Sequence, residues 1–357
     1  MPRPVTSSGW MPTIPCVLAR ATAWLDRAAF NPAKLPDDLT IGIALAPPVI
    51  AGLIIFRLPA LQMLGVALAF GIGAQVFARI VWRNQLARPQ ASPLIAAVVG
   101  VALVGAGAPL TTRIGGIVVP GIPIVIAALA VALELIRARY IPAVRAQAGL
   151  LAYALVALAT RGAPFAYINP ANGKSFGDPI GIWHLYFSPV SAPIDPIRLY
   201  VGNVPGPVFA TSMAAVVIGI AWLAYARRLS LVVLASFLLG AMLPIRLFHW
   251  DFLFQLDSGP TWFVAGLVLA DRRLLPGSWA IRPVLGLGAG ILAVGLRSRG
   301  YGIEAAFFTV AGVQAVMAVV VTALWAISLG TERLRRTRRL RQREAQLRVV
   351  KSVTRAS

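Results

Sequence analysis

Cysteine and histidine are almost absent from this chain of 357 residues, and acidic residues number only 12. The one cysteine, Cys16, excludes a disulfide within the chain, cysteine-ligated iron–sulfur clusters and a covalently attached c-type haem. The two histidines, His184 and His249, are far apart in the sequence, which argues against a haem held between helices. No metal-ligand cluster, nucleophile triad or phosphate-binding glycine loop can be assembled from the residues that are present.

Charged residues are also scarce, at 13% of the chain, whereas hydrophobic residues make up 58% and the mean hydropathy is +0.78. A soluble domain cannot cover its surface with so few polar groups. The apolar runs are about 15 to 25 residues long, and inside a bilayer such runs form helices because the backbone must satisfy its own hydrogen bonds. The sequence therefore predicts an all-α polytopic membrane protein with about ten transmembrane helices. We place the spans at roughly 40–57, 59–78, 92–108, 115–135, 146–160, 205–225, 229–248, 252–270, 280–296 and 303–328.

The longest break between the apolar runs covers residues 161–204, close to the midpoint of the chain. It leaves five runs on each side, and an odd number of spans per half gives the two halves opposite orientations in the membrane. This pattern predicts two inverted five-helix halves. The predicted division is residues 1–39 as a cytoplasmic N-terminal segment with an amphipathic helix, 40–160 as the first half, 161–204 as an extracytoplasmic loop, 205–328 as the second half and 329–357 as a basic cytoplasmic tail.

The net charge of +21 is distributed unevenly along the chain. If both termini are cytoplasmic, 25 of the 33 basic residues lie on that side, as the positive-inside rule predicts. We therefore expect a multi-pass protein of the bacterial cytoplasmic (inner) membrane with both termini in the cytoplasm. The tail is rich in arginine and has no aromatic residue on which a base could stack. This composition indicates anionic lipid as the partner of the tail, with a docked protein as the alternative, and no nucleic acid.

Few ionisable residues lie close to the predicted spans. Asp257 and Asp271 lie near the two ends of the eighth span, and Glu304 opens the last span close to Arg297 and Arg299. Charges in the membrane are costly unless they are paired or hydrated, so those that occur there are often functional. We take Asp257, Asp271 and Glu304 as candidates for an ion pathway. The alternative for each is a charge in hydrated headgroups or a local ion pair.

Three short motifs follow one another in the second half: Gly202-Asn203-Val204-Pro205-Gly206 with Thr211-Ser212, then Asp257-Ser258-Gly259 with Phe263 to Asp271, then Gly300-Tyr301 with Glu304, Ala306 and Phe307. In this order they resemble the motifs of the RnfD/NqrB family, the membrane subunits D of Rnf electron-transport complexes and B of the sodium-pumping NADH:quinone oxidoreductase. The resemblance implies ten helices in two inverted halves. It also implies a subunit that relays electrons, couples them to ion movement and works with other membrane or periplasmic redox subunits.

The chain departs from the family pattern where the family carries its flavin. Members of the family attach FMN to a threonine in the loop between helices five and six, whereas the matching stretch here, Val190 to Pro196, contains no threonine. Ala210, Ala270 and Arg272 also replace residues that are typical of the family. The chain therefore resembles a divergent member, with the UnbU-like group as a possible branch, and covalent FMN is not expected.

A flavin in this protein, either FMN or riboflavin, is expected to be noncovalent. The resemblance places it near the outer ends of spans five to eight, where hydroxyls, backbone donors and helix N-termini would hold it. The candidate residues are Ser191, Asp195, Gly202, Asn203, Gly206, Thr211 and Ser212.

Two other functional classes stay open, because an inverted-repeat architecture does not by itself decide the function of a protein. They are a transporter or channel for a small solute or ion, and a non-catalytic membrane scaffold.

Overall fold

The computed structural model describes residues 35–82, 91–114, 117–186 and 195–327. The predicted amphipathic helix of the N-terminal segment, Ser191 and the basic tail lie outside these residues. Helices dominate the described chain. The strands within it are β1 (Thr111–Ile114) and β2 (Ile117–Pro120), which pair as one antiparallel hairpin. The predicted all-α polytopic class is confirmed.

Each predicted span corresponds to a helical segment. The first half contains α1 (Asp37–Phe56), α2 (Leu58–Val81), α3 (Pro93–Ala102), α4 (Ile122–Tyr140) and α5 (Ala148–Ala159). The central segment contains α6 (Pro179–Tyr186) and α7 (Pro196–Val201). The second half contains α8 (Met213–Tyr225), α9 (Leu231–Leu247), α10 (Phe252–Leu256), α11 (Gly259–Trp262) with the π-helix Phe263–Leu269, α12 (Ile281–Gly295) with the 3-10 turn Leu296–Arg299, and α13 (Glu304–Ile327).

Four of these segments are long and apolar enough to cross a membrane, among the residues that the structure describes. They are α1, α2, α12 with its 3-10 turn, and α13. Large apolar side chains project from the helices without protein cover, and Ile54, Ile80, Leu158 and Val319 are each 68% exposed or more. Side chains of this kind require lipid rather than water around them.

Several predicted spans are shorter as helices than as apolar runs. The run 92–108 is helical only to Ala102, and the run 205–225 becomes helical only at Met213. The run 115–135 begins with strand β2 and becomes helical at Ile122. The span boundaries were wrong at these points because hydropathy records which residues avoid water but not whether glycine and proline interrupt the helix.

The two non-helical stretches pair with each other across the halves. The amide of Val208 donates to the Val104 carbonyl at 2.9 Å, the amide of Phe209 donates to the Ala102 carbonyl at 3.1 Å, and Gly105 forms a β-bridge with Pro207. The amides of Gly105 and Gly107 donate to the carbonyls of Pro164 and Ala166 in the segment after α5. Both stretches are buried apart from Gly107. Irregular backbone is tolerated at membrane depth only where protein satisfies its hydrogen bonds, and here the second stretch and the segment after α5 supply the partners of the first.

Glycine allows helices to approach closely within each half and between the halves. A Cβ atom on Gly149 of α5 would collide with the Ala96 carbonyl of α3, and one on Gly219 of α8 would collide with the Ala44 carbonyl of α1. Backbone contact of this kind is how membrane helices gain packing energy, since lipid supplies no hydrophobic drive between them. The close packing fixes the positions of the helix ends that carry the polar side chains.

Candidate functional site

Three ionisable side chains are buried together at the end of the helical bundle that carries the central segment. Asp178, Arg297 and Glu304 are 7%, 0% and 9% exposed. Arg297 and Glu304 come from the junction of α12 and α13, whereas Asp178 comes from the residue before α6, more than a hundred positions away in the chain. We name these three residues, with Gln255, Thr261, Tyr153 and Tyr167 around them, the Arg297 cluster.

Arg297 is held by neutral oxygens. Its Nη1 donates to the Gln255 carbonyl oxygen at 2.9 Å and to Gln255 Oε1 at 2.7 Å, and its Nη2 donates to Thr261 Oγ1 at 2.8 Å. The 3-10 turn that carries Arg297 ends at Gly300, which adopts the left-handed conformation with φ 86°. That conformation reverses the chain into α13, so that the guanidinium and the Glu304 carboxylate come into one buried region.

Asp178 and Glu304 approach each other across Gly302. Asp178 Oδ2 accepts hydrogen bonds from the amides of Gly181 at 2.8 Å and Ile303 at 3.0 Å. A Cβ atom on Gly302 would collide with Asp178 Oδ2 and would lie 2.8 Å from Glu304 Oε2. The Asp178 and Glu304 carboxylates therefore both border the position that a Cβ atom of residue 302 would occupy, and the space there is too small for a methyl group.

Burial raises the pKa of Asp178, whereas the Gly181 and Ile303 amides and the positive charge of Arg297 lower it. The net direction is upward, so this carboxyl retains its proton to a higher pH than an exposed aspartate does. Burial also raises the pKa of Tyr167 well above its ordinary value, and the charge of Glu304 adds to that effect. The Tyr167 hydroxyl is therefore a proton donor throughout the physiological range.

Among the described residues, Tyr153 Oη, Tyr167 Oη and Arg297 Nε form no hydrogen bond of ordinary geometry, although the Tyr167 hydroxyl lies close enough to Glu304 and to Tyr153 to interact with both. The negative charge of Glu304 acts on both tyrosine hydroxyls and on the guanidinium. Buried donors are nearly always paired, so unpaired ones are typical of a site that takes up a water, while the carboxylates of Asp178 and Glu304 supply the negative charge that attracts a proton or a cation. Chemically, the arrangement can bind and release a proton or a small cation.

A small cavity extends from the cluster towards the Gly-Asn-Val-Pro-Gly motif. Its volume is about 10 Å³, and its polar lining consists of Asp178, Thr211 and Ser258. That volume suits roughly one water molecule and is far too small for an isoalloxazine ring. The cavity therefore joins the acid pair to the motif through space for a single water.

The predicted cofactor residues have different surroundings in the structure. Thr211 donates to the Pro207 carbonyl, and Ser212 caps α8 by accepting from the Ala215 amide at 3.3 Å. Gly202 ends α7 in the left-handed conformation, and a Cβ on it would collide with Ser212. Gly206 is buried beside Thr211. Asp195 and Asn203 are exposed, and Asp195 caps α7. The predicted cofactor residues that the structure describes therefore lie around the α7–α8 connection. Of these, the side chains of Asp195 and Asn203 are exposed and accessible to a ligand.

The structure separates the three predicted ion-pathway residues. Glu304 lies in the Arg297 cluster. Asp257 is half-buried after α10. Asp271 is buried but forms an ion pair with Arg273 at 2.9 Å, and its backbone bridges to Leu229. Of these three residues, only Glu304 is both buried and close to a second carboxylate, that of Asp178.

Sequence reasoning missed two of the three ionisable members of the cluster, Asp178 and Arg297, and none of its neutral members was singled out. Arg297 reads in the sequence as an interfacial charge beside Arg299, yet Arg297 is fully buried and Arg299 is exposed. Asp178 lies in the polar central segment, where a carboxylate is unremarkable in sequence terms. The Asp178-Pro179 pair is the one available signal, because an acidic residue before proline is typical of a helix start.

Gly302→Ala tests the close approach of the two carboxylates. We expect it to lower the free energy of unfolding by about 1 to 3 kcal/mol, because the added methyl group must displace both acids. Thermal unfolding in detergent measures the change. Gly312→Ala on α13 is the matched control, since a Cβ there meets no atom within 4 Å. Equal stability of the two variants would contradict the described geometry.

The family model described as the NQR2, RnfD, RnfE family matches residues 38–324, which include every member of the Arg297 cluster. No curated protein matches the chain.

Proposed function

The chain belongs to the NQR2, RnfD, RnfE family, and from this premise we propose that it relays electrons in an RnfD/NqrB-type membrane complex and couples them to ion movement through the Arg297 cluster. The family match over most of the chain is the observation that carries the proposal. Membership implies a multi-pass membrane subunit that works with other subunits. The electron relay, the flavin and the ion coupling are the parts that experiments have to test.

Charge balance in the cluster supports ion coupling. With both carboxylates ionised, Asp178, Glu304 and Arg297 carry a net charge of −1, and a net charge in a buried site is costly. One proton or one monovalent cation makes the site neutral. An electron that arrives near the site would strengthen its affinity for that cation, and its departure would weaken it. This is the elementary requirement for coupling electron flow to ion uptake and release.

A noncovalent flavin would lie on the surface around Asp195 and Asn203 rather than among the buried residues. The cavity beside Thr211 has a volume of about 10 Å³, so the ring system does not fit there. The exposed side chains of Asp195 and Asn203 offer a carboxylate and an amide to a ligand outside the bundle. The charge distribution supports a location of this end outside the cytoplasm, where periplasmic redox subunits could exchange electrons with it.

The flavin prediction is tested by an absorption spectrum of the protein purified with its partner subunits from its own membranes. We expect flavin bands whose chromophore is released on denaturation, because no threonine is present to form the phosphoester. Ser191→Ala should leave the flavin content unchanged. A colourless preparation from flavin-replete cells would exclude the electron relay, and a chromophore that stays attached in the wild type but is lost in Ser191→Ala would contradict noncovalent binding.

The paired irregular stretches support a transporter as the second candidate. Buried non-helical backbone at 103–108 and 207–209 joins the two halves, and such interruptions surround the substrate sites of inverted-repeat transporters. Uptake of small solutes into proteoliposomes that contain the protein alone distinguishes the two. Uptake without partner subunits or an electron donor favours transport.

A further inference from the structure

A large cavity opens where α3 begins, at the other end of this helix from the stretch that pairs with Val208 and Phe209. Its volume is about 1210 Å³. The N-terminal ends of α1 and α3 and the C-terminal ends of α2 and α4 line it, together with the residues before α5 and after the π-helix. It shares no residue with the Arg297 cluster.

Five arginines line this cavity: Arg79, Arg137, Arg139, Arg145 and Arg273. Arg137 and Arg139 lie in the last turn of α4, and the other three come from separate parts of the fold, so the basic character arises from the packing and not from one charged run. Two of them are neutralised by carboxylates. Arg137 pairs with Glu134 at 2.7 Å, and Arg273 pairs with Asp271 at 2.9 Å.

The lining also contains three acidic residues. Asp37 pairs with Arg228, and Asp38 accepts from the Ser92 hydroxyl. Glu134 accepts from the Ser92 amide at 2.9 Å in addition to its pair with Arg137. Among the described residues, no carboxylate forms an ion pair with Arg79 or Arg145. Arg145 Nη1 donates only to the neutral carbonyl of Leu275 at 3.1 Å, so its charge is retained.

Asp38 contributes one negative charge to the described lining, which offsets only part of the charge of Arg79 and Arg145. The sequence 83–90, between α2 and α3, contains two arginines and no acidic residue. The tail from Glu332 carries ten basic residues against two acidic ones. An external anion is therefore the natural counter-charge.

We infer that this cavity binds a phosphate ester through Arg79 and Arg145. The planar guanidinium matches phosphate oxygens with two parallel hydrogen bonds, and arginine binds phosphate more specifically than a point charge does. The wall also contains Trp82, Ile95 and Ala138, which would pack against the organic part of the ligand. The ester group is common to a phospholipid headgroup and to a soluble organic phosphate.

Isothermal titration of the purified protein in a neutral detergent tests the inference with two probes, short-chain phosphatidylglycerol and glycerol 3-phosphate. We expect saturable binding of at least one probe, and about tenfold weaker binding or more in the Arg79→Gln, Arg145→Gln double variant, because two charge-assisted contacts are lost. Arg246→Gln is the matched control, since Arg246 is exposed on α9 and does not line the cavity.

The probes separate the two sources of the phosphate. Binding of phosphatidylglycerol alone identifies a lipid headgroup, and binding of glycerol 3-phosphate identifies a soluble ligand. Absence of saturable binding of both probes overturns the inference, as does equal affinity of the double variant and the wild type. Thermal unfolding confirms that each variant is folded. The inference does not depend on electron transfer, so a colourless protein that binds phosphate esters would leave it standing.

Discussion

Arg297→Met is expected to lower the free energy of unfolding by about 3 to 5 kcal/mol, the cost of leaving buried charges without their partner. Methionine fills a similar volume but removes the donors to Gln255 and Thr261 and the positive charge beside Asp178 and Glu304. Because Arg297 is fully buried, water cannot compensate for the loss. Thermal or denaturant unfolding in detergent measures the effect.

Arg299→Met is the matched control for this variant. Arg299 belongs to the same 3-10 turn but is exposed, so its replacement should change stability by less than about 0.5 kcal/mol. Combining Arg297→Met with Glu304→Gln should restore part of the lost stability, because one of the two uncompensated acids is then neutral. Equal losses for Arg297→Met and Arg299→Met would show that the buried arginine does not balance the acid pair.

Glu304→Gln is expected to abolish ion coupling while leaving the protein folded. With glutamine at this position, Asp178 and Arg297 balance each other, and the site no longer requires a proton or cation to become neutral. We expect electron-driven ion uptake by proteoliposomes of the whole complex to fall by about tenfold or more, which corresponds to at least ~1.4 kcal/mol. Uptake of protons and of sodium is measured separately, since the charge argument holds for both ions.

Asp251→Asn provides the comparison for Glu304→Gln. Asp251 caps α10 by accepting from the Phe254 amide at 3.0 Å, a role that asparagine can also fill, and it is not a member of the Arg297 cluster. Its uptake rate should match that of the wild type. Normal ion uptake by Glu304→Gln would remove the cluster from the coupling mechanism, whereas the family membership of the chain would be unaffected.

Several features of the candidate site could be anticipated from the sequence, and others could not. Glu304 was found because it stands in a family-like motif at the start of a span, and Thr211 because it follows Gly-Asn-Val-Pro-Gly. Asp178 and the burial of Arg297 were missed. Neither residue lies in a sequence pattern that predicts burial, because burial depends on which other elements of the fold cover a side chain. Asp271 had the same sequence-level features as Glu304 but proved to be ion-paired with Arg273.

The large arginine-lined cavity shows that the sequence also does not reveal which charged side chains form ion pairs. The charge distribution along the chain predicts that Arg79, Arg137 and Arg145 share one side of the membrane. It does not reveal that Glu134 neutralises Arg137 while Arg145 is left with the neutral carbonyl of Leu275. Pairing depends on distances of a few ångström between residues that are far apart in sequence, and local composition carries no information about those distances.

Local composition alone was sufficient for the membrane class and the number of apolar segments, because transfer of a segment into lipid depends on its own side chains and backbone. The folded arrangement alone decided where those segments stop being helical and which polar groups meet. The stretch 103–108 is stable as irregular backbone because residues 164–166 and 207–209 share its hydrogen bonds, and Asp178, Arg297 and Glu304 are stable in the interior because each lies within reach of the others. Both results come from interactions between segments that are far apart in the chain, which exist only after folding.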